Sequence, residues 1–257
     1  MIIDFHSHIM PAFDDGAKDA KMSIAMLQKS MDQGVETVVS TSHCYPMSGR
    51  DITEFTDKRQ TAYNVLMEAV KADNAEIPKL VPAAEVHLSC DIASLKGIEQ
   101  LCIGDTRYML VEMPSSLWTD EVIDRVYKLS ISGIKPIISH MERNIVQKDE
   151  LLSALYMLDI LVQVNAESFA MPVYKKFIGK MMKNKLIHIV GTDMHNLTTR
   201  PPDMEKAHKA IIKRFGSDCW EYLMQNAETV LTEGELSYRR LRSFSPKGIF
   251  MGNLFAK

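Results

Sequence analysis

The chain has 257 residues, of which 46% are hydrophobic and 25% are charged, as is typical of folded globular proteins and not of disordered or fibrous ones. The 30 basic and 33 acidic residues give a formal net charge of −3. This balance argues against binding to duplex nucleic acid and against electrostatic attachment to an anionic membrane. No apolar run approaches the roughly 20 residues that span a bilayer, so we expect no membrane insertion.

The spacing of the cysteines and the composition of the N-terminus indicate the cellular compartment. No CxxC or zinc-finger spacing relates the four cysteines, which are Cys44, Cys90, Cys102 and Cys219. Scattered cysteines of this kind favour reduced thiols. Residues 1–6 have neither the basic region nor the long apolar segment of a signal peptide. We therefore predict a cytoplasmic protein.

Short, β-branched apolar runs recur along the chain, with amphipathic helical stretches between most of them. The first helix is predicted from Ile24, Leu27 and Met31, which have helical spacing before Gly34. A second helix is predicted over Phe55–Val70, and a later one begins at Thr119. Seven apolar runs predict strands: Ile2-Ile3, Val35–Ser40, Leu80–Ala84, Tyr108–Val111, Pro136–Ser139, Leu161–Val164 and Ile187–Val190.

Strands that alternate with helices are typical of parallel βα units, and therefore of a barrel or a doubly wound sheet. No linker, low-complexity tract or charge block interrupts the pattern, so we expect one domain over about 1–230. The stretch Ser237–Lys257 is less regularly patterned. We therefore predict a C-terminal extension over 231–257.

Residues of metal-binding type follow the predicted strands. His6 and His8 come after the first strand, and Asp193 and His195 after the last, in both cases at the i, i+2 spacing that points two side chains to one face. The intervening strands are followed by His43, Glu85, Glu112 and His140. The carboxyl ends of parallel barrel strands converge on one mouth, where active sites lie. The pattern predicts a metal site there, to which Asp15 adds a carboxylate.

The types of the candidate ligands limit which metal ions and which reactions fit the site. Nitrogen and oxygen ligands without thiolate suit zinc, manganese or iron. Nine candidate ligands exceed the needs of one ion and fit two or three ions bridged by carboxylates. Clustered divalent ions serve phosphoester hydrolysis, because they lower the pKa of water and hold the attacking and leaving oxygens. Arg143 and Arg200 follow the ligands directly, and a guanidinium fork suits a phosphate group, so we predict that both are catalytic.

Other polar residues near these motifs are predicted to have different roles. His87, Asn165 and Glu167 could border the site without binding metal, His188 is predicted in the core, and His208 on a solvated helix surface. Cys44 lies beside His43, but the CxxxxxR loop of cysteine-dependent tyrosine phosphatases is absent, so we do not expect a cysteine nucleophile.

The ordered set of motifs resembles the PHP (polymerase and histidinol phosphatase) superfamily. More narrowly, residues 1 to about 230 resemble the bacterial PHP-type protein-tyrosine phosphatases of capsule and exopolysaccharide operons. The chain differs from that pattern at Cys44-Tyr45-Pro46. The motifs that carry the resemblance are Asp4-Phe5-His6-Ser7-His8, Asp14-Asp15-Gly16, Thr41-Ser42-His43, Ala84-Glu85, Val111-Glu112, Ser139–Arg143 and Gly191–Leu197.

The resemblance implies a distorted seven-stranded (β/α)7, TIM-like barrel with three divalent metal ions, often manganese. It implies that a metal-activated hydroxide hydrolyses phosphotyrosine on the tail of a bacterial tyrosine autokinase that governs polysaccharide export. By motif, the first ion would be bound by His6, His8, Glu85 and Asp193. The second would be bound by Glu85, Glu112 and His140, and the third by Asp15, His43 and His195. Arg143 and Arg200 match the arginines that contact phosphate.

Several alternatives remain open at this point. A PHP phosphatase acting on a small phosphoester such as histidinol phosphate would use the same site, although that branch usually has a longer chain. An amidohydrolase would typically carry a carboxylated lysine where Glu85 and Glu112 stand here. A nuclease would need a basic track. A non-catalytic regulatory module would normally have lost ligands, whereas every expected position is filled.

Overall fold

The computed structural model describes residues 1–234 and 236. This part of the chain is an α/β fold in which all strand pairs are parallel, as predicted. Its strands are β1 (Ile2–Asp4), β2 (Val35–Ser40), β3 (His43–Cys44), β4 (Lys79–Pro82), β5 (Glu85–His87), β6 (Tyr108–Glu112), β7 (Lys135–Ile138), β8 (Leu161–Asn165) and β9 (Ile189–Gly191).

The helices alternate with these strands and cover their outer surface. Four short 3-10 helices lie at Ile98–Leu101, Met141–Asn144, Ala166–Phe169 and Pro172–Tyr174. The α-helices are α1 (Ala20–Met31), α2 (Gly49–Ala72), α3 (Asp120–Ile131), α4 (Asp149–Tyr156), α5 (Lys175–Lys183), α6 (Met204–Phe215) and α7 (Ser217–Leu231). Within the described residues, none of these helices has the length and apolar character needed to cross a membrane.

The strands pair in two sheets, and the described residues form nine strands where seven were predicted. One sheet has the order β1-β2-β4 and the other β3-β5-β6-β7-β8-β9. The predicted run Leu80–Ala84 ends as a strand at Pro82, and β5 begins only at Glu85. Similarly, two residues separate β2 from β3, and there Thr41 donates its N–H to the carbonyl of Ser7, on the chain that continues from β1 (2.9 Å). The predicted strand Val35–Ser40 is thus confirmed as β2, and β3 and β5 are short strands of the second sheet that the sequence did not predict.

The curled sheets enclose a buried apolar core. α7 closes this core with Ala227 and Val230. The strands contribute Ile3, Val39, Tyr108, Leu110, Ile137, Leu161 and Ile189, and Ala83 adds to the core directly after β4. A larger core lies between the sheets and the surrounding helices. The apolar core therefore leaves the space at the carboxyl ends of the strands to polar residues.

The helix boundaries follow local chemistry. α1 begins after Asp19, whose carboxylate accepts a hydrogen bond from the Met22 N–H (2.8 Å), and the chain leaves it through Gly34 at φ +82°. α2 begins six residues before the predicted Phe55, after Ser48. The predicted extension 231–257 lies outside the described residues apart from 231–234 and 236, and it stays a prediction.

Candidate metal centre

The first and last strands deliver three ligand residues to one point. The Asp4 carboxylate at the end of β1 accepts a hydrogen bond from the Thr192 N–H after β9 (2.7 Å). One step further, the Asp193 N–H donates to the His6 carbonyl (2.7 Å). Because His6 and His8 are two residues apart, both imidazoles emerge beside Asp193.

The inner group consists of His6, His8, Glu85 and Asp193, which are all buried. The Nε2 atoms of His6 and His8 lie 3.1 Å apart. Glu85 Oε2 lies 3.2 Å from the first and 3.5 Å from the second, and Asp193 Oδ1 lies 3.4 Å from both. Bonds of about 2.0–2.2 Å to one ion would place neighbouring ligand atoms about 3.0–3.5 Å apart. The spacing fits a single divalent ion.

The outer group consists of Asp15, His43 and His195. Asp15 Oδ1 lies 3.4 Å from His43 Nε2 and 3.3 Å from His195 Nε2. The His8 ring packs on the His195 ring with 3.9 Å between centroids, so His8 borders both the inner and the outer groups. The Asp15 side chain is 64% exposed. This group therefore opens to solvent.

Glu112 and His140 complete the arrangement around Glu85. Glu85 Oε1 lies 2.7 Å from His140 Nε2, which is 3.9 Å from Glu112 Oε1. His43 Nδ1 lies 3.1 Å from Glu85 Oε2 and 3.8 Å from Glu112 Oε2. His43 therefore approaches two groups, one through each ring nitrogen, whereas the sequence resemblance implies only the outer one. Glu85 is the common member, in contact with four imidazoles.

Several of these atoms are buried without a hydrogen-bond partner among the described residues. They are His43 Nδ1, Glu85 Oε2, Glu112 Oε2 and His195 Nε2. Buried polar atoms normally make hydrogen bonds, and leaving one unpaired is costly. Here the atoms face one another without making hydrogen bonds, as with His43 Nδ1 and Glu85 Oε2, which are 3.1 Å apart. A cation within each group would satisfy them, so the donor set fits divalent ions.

The electrostatics of the centre favour positive charge. Burial opposes the ionisation of Glu85 and Asp193, but His6 and the other neighbouring histidines together outweigh it and hold both carboxyl pKa values well below their usual range. Burial also opposes protonation of His8, yet contacts with carboxylates raise its pKa well above the usual value. By contrast, burial lowers the pKa of His195 to about 4. Metal ligands must be ionised carboxylates and neutral imidazoles, so a cation bound here would replace protons.

The two arginines predicted from sequence lie at the inner group. Arg143 Nη2 donates to Asp193 Oδ2 (2.6 Å), and Arg200 Nη2 lies 2.5 Å from the same oxygen. The other oxygen of Asp193 faces the histidines. Asp193 therefore divides its carboxylate between the ligand group and two guanidinium groups, and both guanidiniums remain partly exposed.

Sequence reasoning missed the residues that orient the ligands. Asp14 Oδ2 lies 2.9 Å from His8 Nδ1, which leaves Nε2 directed at the inner group. Gln163 Oε1 lies 3.3 Å from His6 Nδ1 and accepts the His140 N–H (2.7 Å). Such supporting hydrogen bonds fix the tautomer and orientation of metal ligands. A signal for Gln163 was present, because it is a polar residue inside the apolar run Leu161–Val164.

Two of the candidate ligands have left-handed backbone conformations. His140 has φ +30° and Asp193 has φ +55°, and neither is glycine. Such conformations cost about 1–3 kcal/mol and persist where the surroundings enforce them, often at active sites. Both residues come two positions after the end of a strand, so the unusual backbone turns each side chain into the centre.

The remaining sequence predictions have mixed outcomes. Cys44 is buried, and burial raises the pKa of its thiol to about 12, which agrees with the absence of a cysteine nucleophile. His188 lies in the core, as predicted. Asn165 Nδ2 donates to Asp193 Oδ2 (2.8 Å) and so supports the centre. His208 lies on a helix, as predicted, but it is half-buried and its ring packs on Trp220 with 4.5 Å between centroids.

Comparisons of the sequence and of the structure with known proteins identify the same relatives. The chain is 32% identical over 237 residues to tyrosine-protein phosphatase YwqE of Bacillus subtilis, covering 90% of this chain and 91% of the relative. It is 32% identical over 234 residues to tyrosine-protein phosphatase CpsB of Streptococcus pneumoniae, covering 84% and 92%. A crystal structure from work on these two proteins, described there as unique metal-dependent tyrosine phosphatases, superposes with a TM-score of 0.79 and 28% identity over 93% of this chain and 98% of that one.

The family model for capsular polysaccharide synthesis proteins CpsB/CapC matches residues 2–232. This range contains all nine candidate ligands and both arginines, and it ends one residue after α7. The chain belongs to the CpsB/CapC family of capsular polysaccharide synthesis proteins.

Proposed function

We propose that this protein is a metal-dependent protein-tyrosine phosphatase that removes phosphate from the tyrosine-rich tail of a bacterial tyrosine kinase and thereby regulates capsular or extracellular polysaccharide synthesis. The observation that carries the proposal is the junction at Asp193, where a ligand group and two partly exposed guanidiniums share one carboxylate. The names of the relatives as tyrosine-protein phosphatases support the same activity.

The proposed cofactor is a set of three divalent ions, with manganese as the first candidate and iron or zinc as alternatives. The inner group would hold one ion, Glu85, Glu112 and His140 a second, and the outer group a third. The mutual distances and the unpaired buried atoms support this assignment. When bound, the ions would lower the pKa of water and neutralise charge on the phosphate.

The chain itself would bind and orient the phosphate. Arg143 and Arg200 each present N–H donors beside the ligand group, where they would hold the equatorial oxygens as charge develops on them. Asp193 and Asn165 keep these donors in place through the shared Asp193 Oδ2. The phenolate leaving group has a pKa of about 10, so the demand for a general acid is small.

We also propose that the two sheets together form the distorted seven-stranded barrel implied by the sequence. The parallel bridge between Ser7 and Met194 supports closure between the first and last strands. The enclosed core, to which each of the seven predicted strand segments contributes at least one residue, is consistent with it. A cytoplasmic location would place such an enzyme beside an intracellular kinase tail.

The experiment that tests the function compares phosphate release from a phosphotyrosine peptide and from histidinol phosphate, each with Mn²⁺ and with chelator. We expect metal-dependent turnover of the peptide and little turnover of histidinol phosphate. A preference for histidinol phosphate would move the protein to the biosynthetic branch of phosphatases. Absence of turnover with bound metal would favour a non-catalytic regulatory module.

A further inference from the structure

An exposed aromatic ring stands next to the candidate ligands. Tyr45 lies two residues after His43, and its ring centroid is 5.8 Å from the His43 ring and 5.3 Å from the His87 ring. Even so, 57% of Tyr45 is exposed. The two imidazoles support one side of the phenol ring and leave the rest of it open.

The segment that carries Tyr45 is tied down on both sides. The Met47 N–H donates to Asp51 Oδ2 at the start of α2 (2.8 Å), and Cys90 Sγ donates to the Pro46 carbonyl (3.5 Å). β3, immediately before Tyr45, pairs with β5. The ring is therefore presented from a fixed backbone, which reduces the entropy lost when a ligand stacks on it.

A cleft of about 590 Å³ begins at this ring. The cleft is lined by Asp15 and His43 of the outer group, by Tyr45, and by Phe13 and Phe55. The two phenylalanine rings pack edge to face with 5.2 Å between centroids. Clefts of about 300–1,000 Å³ with aromatic walls are typical of small-ligand sites. The cleft offers space for the organic part of a substrate whose phosphate lies at the ligands.

We propose that Tyr45 selects aryl phosphates by stacking against the phosphotyrosyl ring as that ring enters the cleft. The inference rests on the proposed phosphatase activity and deepens it, because it assigns the preference for tyrosine to a residue that binds no metal. Offset or edge-to-face aromatic pairs contribute about 0.5–1.5 kcal/mol beyond their buried area. An alkyl phosphate, such as phosphoserine, would gain no such contact.

The test measures the dissociation constants of phenylphosphonate and methylphosphonate by calorimetry with the metal-loaded protein. Both compounds present the same phosphonate group, and only the first has a ring. We expect Tyr45→Ala to weaken phenylphosphonate about three- to tenfold and to leave methylphosphonate within about twofold. Tyr45→Phe keeps the ring and should bind both compounds like the wild type.

Two further variants make the result specific. Tyr127→Ala changes an exposed tyrosine on α3 and should alter neither constant. Tyr174 interacts electrostatically with Arg143 and is therefore the other aromatic residue that could stack on the phosphotyrosyl ring. A selective loss of phenylphosphonate binding in Tyr174→Ala but not in Tyr45→Ala would overturn the proposal, as would an equal loss of both compounds in Tyr45→Ala.

Activity measurements separate this inference from the proposed function. If the wild type hydrolyses the phosphotyrosine peptide and Tyr45→Ala keeps both its kcat/KM and its phenylphosphonate affinity, the inference is wrong and the function stands. If the wild type hydrolyses no phosphotyrosine peptide, but Tyr45→Ala selectively loses affinity for phenylphosphonate, the proposed function is wrong and aryl selection by Tyr45 stands.

Discussion

The inner and outer ligand groups are built differently although they share a border at His8. The inner histidines are buried and are oriented through their Nδ1 atoms by Gln163 and Asp14. In the outer group, Asp15 belongs to the loop between β1 and α1 and is mostly exposed. A ligand set that is already ordered loses little entropy on binding an ion, whereas an exposed side chain must first be fixed. We therefore expect tight binding in the inner group and weaker, adjustable binding in the outer group.

The largest expected effect is that of Glu85→Gln, which changes the one carboxylate common to the inner group and the Glu112–His140 pair. We expect kcat/KM on a phosphotyrosine peptide to fall about 10³-fold or more, because charge neutralisation by the ions is worth several kcal/mol. Metal content, measured by mass spectrometry after dialysis, should fall by at least one ion per chain. The matched control is Glu228→Gln on the exposed side of α7, which should change neither quantity.

The next effect concerns the guanidiniums attached to the inner group. Arg143→Ala and Arg200→Ala are each expected to lower kcat/KM about 10²-fold, the usual loss for one donor to the developing charge. Metal content should be retained in both. An unchanged kcat/KM in the double variant, with its metal intact, would remove both arginines from the mechanism.

A smaller and reversible effect is expected in the outer group. Asp15→Asn should raise the Mn²⁺ concentration for half-maximal activity about 10- to 100-fold, while kcat at saturating Mn²⁺ stays within a few-fold of the wild type. The measurement is a metal titration of activity. A loss as large as that of Glu85→Gln, and not restored by added metal, would contradict the distinction between the two groups.

His188 lies outside both ligand groups, so the effect of its protonation on stability can be measured in the metal-free protein. Burial lowers the pKa of His188 to about 4, and its Nδ1 accepts the Val162 N–H (3.0 Å). The unfolded chain binds a proton near pH 6.5 and the folded protein does not, so stability falls as pH drops from about 6.5 to 4, by up to about 3 kcal/mol for this residue. His188→Gln should remove that part of the pH dependence in urea unfolding of the metal-free protein. Parallel pH profiles for the two proteins would show that His188 takes no part.

Much of the site could be predicted because the alternation of strands and helices can be recognised in the sequence. Each ligand follows an apolar run, and the runs align in parallel, so their ends meet without any knowledge of loops. His6 with His8 and Asp193 with His195 could be placed by the i, i+2 rule alone. The structure brings all nine candidate ligands and both arginines to the same end of the strands.

What could not be predicted depends on contacts across the fold. β2 and β4 pair with each other in one sheet, whereas β3 and β5, which follow them in the chain, pair with each other in the second sheet, and no local residue signals that change. The roles of Gln163 and Asp14 depend on which ring nitrogen they face. The approach of His43 to Glu85 depends on the register of β3 against β5, where the two residues are direct partners.

The most direct test of this account is anomalous diffraction at the manganese edge from crystals of the Mn²⁺-loaded wild-type protein. We predict three peaks, with the strongest among His6, His8, Glu85 and Asp193 and a weaker one beside Asp15. The absence of any peak in contact with Glu85 would contradict the central claim that these side chains form a metal centre.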